Sequence, residues 1–188
     1  GAPILLDVKS SEAALRLVKN AGAAAQIWKT GHSHMKKRMK ELAAPLAGEM
    51  SGHIFIADDY LGFDDAIYAA VRVITQMVKG GQSVTEFIDS LPEQHATPEL
   101  RIDCPDTVKF DSMEKIRAHV LSGHDAADVN SIDGVRVRSG DGWWLIRASN
   151  TEAALVARAE AADRTALDRL LGDIETTLAA AGLDWKRP

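Results

Sequence analysis

The first part of the chain alternates short apolar runs with longer amphipathic segments. Runs at 3–8 ("PILLDV") and 24–28 ("AAQIW") are typical of buried strands. Between them, "SSEAALRLVKNAG" places apolar residues at helical spacing, and Ser10 or Ser11 can cap that helix. Strand and helix therefore alternate, which predicts an α/β layer.

The pattern continues with three more predicted helices. "HSHMKKRMKELAA" predicts a helix with its methionines on one face and its lysines off that face. "LAGEMSGHIFI" contains two short apolar runs around a glycine-rich loop. "FDDAIYAAVRVITQMVKGG" then predicts a long helix closed by two glycines, and "SVTEFIDSL" predicts a short one.

Periodicity breaks at 92–100, "PEQHATPEL", which carries two prolines and several polar residues. This composition predicts a linker. We therefore expect two domains, at 1–94 and 95–188.

The second half has a different pattern, typical of an α+β unit. "ELRIDC" predicts a strand, and "DSMEKIRAHVLSG" predicts a helix. "DGVRVRSGDGWWLIRAS" then predicts a hairpin, and "DRTALDRLLGDIETTLAAAG" predicts a long final helix. The segment "TEAALVARAEA" is ambiguous. Its alanines favour a helix, whereas its place between hairpin and final helix favours a last strand.

Composition and charge exclude several classes of protein. The formal net charge of −5 argues against a nucleic-acid scaffold, which needs a dominant basic face. No uncharged stretch approaches the roughly 20 apolar residues that a membrane span needs. Cys104 is the only cysteine, so an internal disulfide and a cysteine-rich zinc site are both excluded. A reducing, cytoplasmic location is the expectation.

The segment "RASNT", residues 147–151, follows an apolar strand and is rich in hydrogen-bond donors. Arg147 can donate two parallel hydrogen bonds to a phosphate, and the next side chains with their backbone N–H groups could complete an anion site. An ordinary turn, in which Ser, Asn and Thr bond their own backbone, explains the same residues.

Histidines cluster in "KTGHSHM" and in "GEMSGHIF". His32, His34, Glu49 and His53 could supply nitrogen and oxygen ligands to zinc. Alternatively, His32 and His53 could transfer protons near neutral pH. A solvated helix start is the simplest interpretation of "KTGHSHM".

The loop "GEMSGHIF", residues 48–55, carries side chains suited to a hydroxyl-rich ligand. Glu49 can accept two hydroxyl hydrogens, Ser51 can donate or accept, and His53 adds a titratable nitrogen. An ordinary connection, with Glu49 paired to a nearby lysine, remains the alternative.

Taken together and in order, "DVK" with "WKTGHSHMK", then "GEMSGHIF", then "RASNTE" resemble the α-D-phosphohexomutase family, in its phosphomannomutase/phosphoglucomutase branch. Members of the family have four domains, and nearly the whole chain is similar to the third and fourth. A chain that opens on a buried-strand pattern is expected to begin in mid-protein.

The resemblance implies a reaction, its substrates and its cofactors. Family enzymes reversibly transfer phosphate between the 1- and 6-hydroxyls of a hexose, here mannose or glucose 1- or 6-phosphate. A hexose 1,6-bisphosphate is the intermediate, and Mg²⁺ is the metal. The family's phosphoserine loop, T-A-S-H-N-P, and magnesium loop, D-G-D-x-D-R, do not occur in these residues. We therefore expect the missing N-terminal half as partner, no metal ligands in this chain, and no activity from it alone.

The resemblance also assigns roles to the sugar loop and its neighbours. Glu49 and Ser51 would bind the 3- and 4-hydroxyls of the sugar. Lys9, His32 and His53 would line the cleft, with His32 or His53 as a candidate proton-transfer residue.

At the other end of the substrate, the resemblance assigns Arg147, Ser149, Asn150 and Thr151 to the phosphate that is not being transferred. The linker would act as a hinge.

The expected fold is an α/β domain with a mixed sheet and flanking helices. A smaller α+β domain with a mainly antiparallel four-stranded sheet and helices follows, and the resemblance makes "ALVARAEA" one of those strands. Two other functions stay open: a metal-dependent hydrolase using the His/Glu cluster, and a stand-alone module that binds sugar phosphates.

Overall fold

A computed structural model describes residues 1–187 of the chain. It divides into two compact units, of which the first is Gly1–Pro92 and the second starts at Glu93. The predicted domain boundary, after residue 94, lies two residues from this division. None of the described helices is both long and apolar enough to cross a membrane.

The first unit contains five strands and four helices. In chain order they are β1 (Pro3–Asp7), α1 (Glu12–Asn20), β2 (Ala24–Trp28), α2 (His32–Leu42), β3 (Leu46–Gly48), β4 (Ile54–Ile56), β5 (Phe63–Asp64), α3 (Ala66–Gly80) and α4 (Val84–Asp89).

The first sheet is mixed, as predicted, with strand order β2-β1-β3-β4-β5. β1 is parallel to β2 and β3, whereas β4 is antiparallel to both β3 and β5. The carboxyl ends of β1, β2, β3 and β5 therefore share one edge of the sheet with the start of β4. Ligands of open α/β sheets usually bind at such an edge.

The core of the first unit lies between this sheet and α2. Met35 and Met39 of α2 pack against Leu5, Ala47 and Phe55 of the sheet, and all five are buried. The predicted methionine face of α2 is therefore confirmed.

Helix α3 is apolar but largely uncovered. Ala69 is its one buried residue, whereas Ile67 and Val78 are about four-fifths exposed. Between α3 and the strands runs an apolar groove of about 620 Å³, lined in part by Leu46 and Ile54. The prediction placed the helix start at 63, but β5 occupies Phe63–Asp64 because these residues pair with β4.

The described part of the second unit contains six strands, two α-helices and a short 3-10 turn. The strands and helices are β6 (His95–Ala96), β7 (Leu100–Asp103), α5 (Asp106–Gly123), β8 (Val129–Asn130), β9 (Val135–Ser139), β10 (Gly142–Ala148), β11 (Ala154–Ala161) and α6 (Arg164–Ala180).

The second sheet is antiparallel in every pairing, with order β6-β11-β10-β9-β8 and β7 also paired to β11. The four predicted strands are β7, β9, β10 and β11, and two strands of two residues each extend the sheet to six. β6 lies inside the predicted linker, because its residues pair with Glu160 and Ala161. That linker is therefore partly sheet.

The ambiguous segment is a strand, as the resemblance implied. Leu155, Ala157 and Ala159 alternate into the core against helices α5 and α6, and all three are fully buried. Small alanine side chains suit a strand surface on which helices pack closely. Composition favoured a helix because the helix propensity of alanine does not take into account the packing of α5 and α6 against this strand.

Candidate functional site

A buried carboxylate links three loops at the edge of the first sheet where the carboxyl ends of β1, β2, β3 and β5 lie. Asp7 ends β1 and is fully buried. Its Oδ1 accepts hydrogen bonds from the Ser10 hydroxyl at 2.6 Å and the Met50 amide at 3.1 Å. Its Oδ2 accepts one from the Thr30 hydroxyl at 3.2 Å. Asp7 therefore links the loops after β1, β2 and β3.

The loop between β3 and β4 closes on itself. The Glu49 amide donates to the His53 carbonyl, and the Gly52 amide donates to the Glu49 carbonyl, both at 2.9 Å. Gly52 has φ +91, a conformation that glycine adopts easily. The loop is a defined turn that holds its polar side chains at the sheet edge.

The Glu49 side chain is 9 % exposed and already has two partners. Its Oε1 accepts a hydrogen bond from the Gly31 amide at 2.8 Å, and its Oε2 accepts one from the Ser51 hydroxyl at 3.4 Å. Gly31 is the N-cap of α2 and has no side chain to cap the helix. Glu49 thus supplies a negative charge at a helix N-terminus, which is favourable, and it is not paired to a lysine in any described contact.

His32 and His53 come together on Asp64, which ends β5. His53 Nδ1 lies 2.7 Å from Asp64 Oδ2, and His32 Nε2 lies 3.4 Å from the same oxygen. The two imidazole rings contact edge to face, with centroids 4.5 Å apart. Because the histidines are 46 % and 42 % exposed, both remain accessible to a ligand.

The structure separates the set of residues considered as zinc ligands. His34 is exposed in the first turn of α2 and lies outside the His32, His53 and Asp64 group. Glu49 is also outside this group. The four-residue set proposed for a hydrolase is therefore not assembled.

Lys9 lies in the loop after β1, on the same edge, and is 7 % exposed. It is the one predicted sugar-site cation with a largely buried side chain.

In the second unit, Arg147 is near the end of β10 and 5 % exposed. Its Nε donates to Asp133 Oδ2 at 3.0 Å. Its Nη2 is buried with no hydrogen-bond partner among the described residues. A buried N–H group without an acceptor is costly, so an oxyanion contacting Nη2 would be stabilising.

The approach of Asp133 to Arg147 depends on Gly134. Gly134 has φ +79, and a Cβ there would lie 2.3 Å from the Ile146 carbonyl oxygen and 2.6 Å from Arg147 Cβ. Any other residue would push the loop away from β10. Glycine therefore permits the Asp133 contact that orients the guanidinium.

Lys109 holds the loop of residues 149–152. Its Nζ donates to the backbone carbonyls of Ser149 at 3.0 Å and Glu152 at 2.8 Å. It also pairs with Asp106 at 2.6 Å. Inside the loop, the Thr151 amide donates to the Ser149 hydroxyl at 3.4 Å. The "SNT" residues thus form the local turn that sequence left open, and a buried ammonium group anchors it.

Four residues of these sites were missed by sequence reasoning: Asp7, Asp64, Lys109 and Asp133. Asp64 fell within a predicted helix. Lys109 was missed because the pattern started α5 at 111, whereas it starts at Asp106. A usable signal existed only for Asp7, which is a charged residue at the end of an otherwise apolar strand.

Two family models match the chain, one for each unit. The model described as "Phosphoglucomutase/phosphomannomutase, alpha/beta/alpha domain III" matches residues 1–95. The model described as "Phosphoglucomutase/phosphomannomutase, C-terminal domain" matches residues 99–177.

Curated relatives agree with these matches. A phosphomannomutase/phosphoglucomutase of Pseudomonas putida is 42 % identical, over 95 % of this chain and 38 % of its own length. A phosphoglucomutase of Neisseria gonorrhoeae is 38 % identical, over 90 % of this chain and 37 % of its own length. The chain spans about two-fifths of the length of these relatives.

Solved structures share the fold. A phosphoglucomutase/phosphomannomutase family protein of Burkholderia thailandensis has a TM-score of 0.86 and 37 % identity, over 98 % of this chain and 39 % of that one. An N-acetylphosphoglucosamine mutase of Aspergillus fumigatus, determined with GlcNAc-6P and magnesium, has a TM-score of 0.64 at 14 % identity, over 96 % of this chain and 39 % of that one. The second likeness concerns the fold alone.

Proposed function

This chain belongs to the phosphoglucomutase/phosphomannomutase family, and we propose that it is the sugar- and phosphate-binding half of a phosphohexomutase. The parent enzyme would interconvert the 1- and 6-phosphates of mannose or glucose through a hexose 1,6-bisphosphate. One observation carries the proposal: Arg147 Nη2 is buried without a partner among the described residues, which is how a built oxyanion site would leave it.

Glu49 and Ser51 are proposed to bind vicinal sugar hydroxyls. Glu49 is held by the Gly31 amide, so it needs no rearrangement to accept a hydroxyl hydrogen. Such preorganisation reduces the entropy lost on binding. Lys9, His32 and His53 are proposed to line the same ligand, and His53, oriented by Asp64, is the candidate for moving a proton to or from a sugar hydroxyl.

Arg147, Ser149, Asn150 and Thr151 are proposed to bind the phosphate that is not being transferred. Arg147 Nη2 has no partner among the described residues and is proposed to donate to the phosphate, while Nε donates to Asp133. Asn150 and Thr151 are exposed, so their side chains can turn towards an anion. Their contribution is positioning and charge compensation.

Mg²⁺ would supply charge neutralisation to phosphoryl transfer in the parent enzyme. The described residues do not fit it, because their one compact group of potential metal ligands is His32, His53 and Asp64. Mg²⁺ prefers oxygen ligands. We therefore assign no step of the reaction to a magnesium ion in this chain.

The proposed partner is the N-terminal half of a longer mutase. The chain matches about two-fifths of its curated relatives, so most of their length has no counterpart here. Helix α3 supports the proposal, since Ile67, Val71, Ile74 and Val78 form an exposed apolar stripe that a further domain would cover.

The chain by itself is expected not to interconvert mannose 1-phosphate and mannose 6-phosphate when Mg²⁺ is present. The reason is that neither the phosphoserine pattern nor the magnesium pattern occurs in its sequence. ³¹P NMR of the reaction mixture distinguishes the two esters directly. A full-length phosphomannomutase in the same buffer is the positive control, and conversion by this chain would contradict the proposal.

Glucose 6-phosphate is expected to shift the amide signals of both loops in a ¹H–¹⁵N NMR titration of the full chain. Glu49→Gln, which removes the charge but keeps an acceptor, and Arg147→Lys, which cannot donate two parallel bonds, should each weaken binding about tenfold. Glu41→Gln is the matched control, because Glu41 is an exposed residue paired only to Arg38 in the described contacts. Unshifted loops, or equal affinity of all variants, would refute the binding roles.

A further inference from the structure

His32, His53 and Asp64 form a compact group of potential metal ligands in the first unit. We propose that these three side chains bind a transition-metal dication of the Zn²⁺ class. The Nδ1 atom of His53 and the Nε2 atom of His32 lie 2.7 and 3.4 Å from one oxygen of Asp64. One ligand atom from each residue lies within 4.8 Å of the other two.

These distances are close to those of an assembled zinc site. With Zn–N and Zn–O near 2.0–2.1 Å, ligand atoms of a tetrahedral centre lie about 3.3 Å apart. Small side-chain rotations would therefore bring all three atoms around one ion.

The three ligands are carried by different elements of the first unit. His32 begins α2, His53 directly precedes β4, and Asp64 ends β5. β4 and β5 are hydrogen-bonded neighbours with Phe55 opposite Asp64, and the His32 ring packs edge-on against Phe55. The sheet thus holds the ligands in place before any metal arrives, as a metal site requires.

The ligand set indicates which cation would bind. Two imidazoles and one carboxylate suit Zn²⁺ and other late first-row dications, whereas Mg²⁺ prefers oxygen. Both histidines are more than two-fifths exposed, so a fourth position stays open to water or a ligand oxygen. On binding, the proton shared between His53 Nδ1 and Asp64 leaves to solvent, and the freed nitrogen lone pair binds the metal.

The metal site shares His32 and His53 with the proposed sugar site, but its test is a metal titration that needs neither hexose phosphate nor enzyme activity. The untagged chain is titrated with ZnCl₂ by isothermal calorimetry in a buffer that does not chelate metals. We expect one ion per chain, at least tenfold weaker binding for His53→Gln and Asp64→Asn, and no detectable heat with MgCl₂. His34→Gln is the matched control: it removes a histidine two residues from His32 and should bind like the unmodified chain.

Co²⁺ provides a second measurement that identifies the ligands. The visible absorption spectrum of the bound Co²⁺ should be that of a site with nitrogen and oxygen ligands. It should lack the thiolate charge-transfer band that coordination by Cys104 would produce. Zn²⁺ binding that is absent, that survives His53→Gln and Asp64→Asn, or that is lost equally in His34→Gln would overturn the proposal. In those cases Asp64 is only a hydrogen-bond partner of His53 and an ion-pair neighbour of His32.

Discussion

Asp7→Ala is expected to destabilise the first unit by about 3 kcal/mol. Three donors from three separate loops bond this fully buried carboxylate. Hydrogen bonds to a charged acceptor contribute roughly 1.5–3 kcal/mol each, and they are not additive when they share one acceptor. Urea unfolding, followed through the amide signals of residues 1–92, measures the change.

Two further variants make the Asp7 result specific. Asp7→Asn keeps the size of the side chain and one oxygen acceptor. It is therefore expected to lower the free energy of unfolding by about half as much as Asp7→Ala. Asp89→Ala removes an exposed aspartate at the end of α4 and should change stability by no more than about 0.5 kcal/mol. Equal stabilities of Asp7→Ala and Asp89→Ala would show that the three loops do not depend on the buried carboxylate.

Asp7 also bears on binding, because it orders the loops that carry the proposed sugar ligands. Asp7 accepts a hydrogen bond from the amide of Met50, and Met50 lies between Glu49 and Ser51. Loss of Asp7 should therefore weaken glucose 6-phosphate binding in a variant that is still folded. This effect is one of positioning, since Asp7 is fully buried and cannot contact the sugar.

Lys109→Met is expected to loosen the loop of residues 149–152. The ammonium group donates to two loop carbonyls at 3.0 and 2.8 Å, and methionine keeps the apolar stem while removing both donors. The Ser149 amide donates a hydrogen bond to the Ala154 carbonyl. If the variant lowers the free energy of local opening by about 1.4 kcal/mol, this amide should exchange about tenfold faster. Native-state hydrogen exchange measures this directly.

Lys115→Met is the matched control for Lys109, because Lys115 is exposed on the same helix. It should leave exchange at Ser149 unchanged. If Lys109→Met behaves like this control, the loop is held by its own turn alone. The same pair of variants can be tested with glucose 6-phosphate, and weaker binding is expected only for Lys109→Met.

Much of the fold could be predicted from local patterns. The strands at 3–7 and 24–28, helix α2 with its methionine face, and the hairpin of β9 and β10 are confirmed because their periodicity reports directly on burial. β11 is the counterexample. Its alanines favoured a helix, and only the packing of helices against β11 makes small side chains suitable in a strand.

The candidate site was predictable where residues are neighbours in sequence. "GEMSGHIF" and "RASNT" identify their own donors and acceptors, and the family resemblance assigned them roles that remain proposals. Asp64, Asp133 and Lys109 could not be found this way. Each acts on a residue at least 11 positions away, which the sheet register or a helix brings near.

The sequence by itself determined the side-chain chemistry of the two loops, the two-part organisation and the membership of a mutase family. Tertiary structure alone decided which groups act together: Asp7 joins three loops, Asp64 joins His32 to His53, and Lys109 supports residues 149–152. The physical reason is that hydrogen bonds and ion pairs depend on distances of about 3 Å. Spacing along the chain determines such distances within a turn or helix, whereas between elements they depend on how the sheets and helices pack.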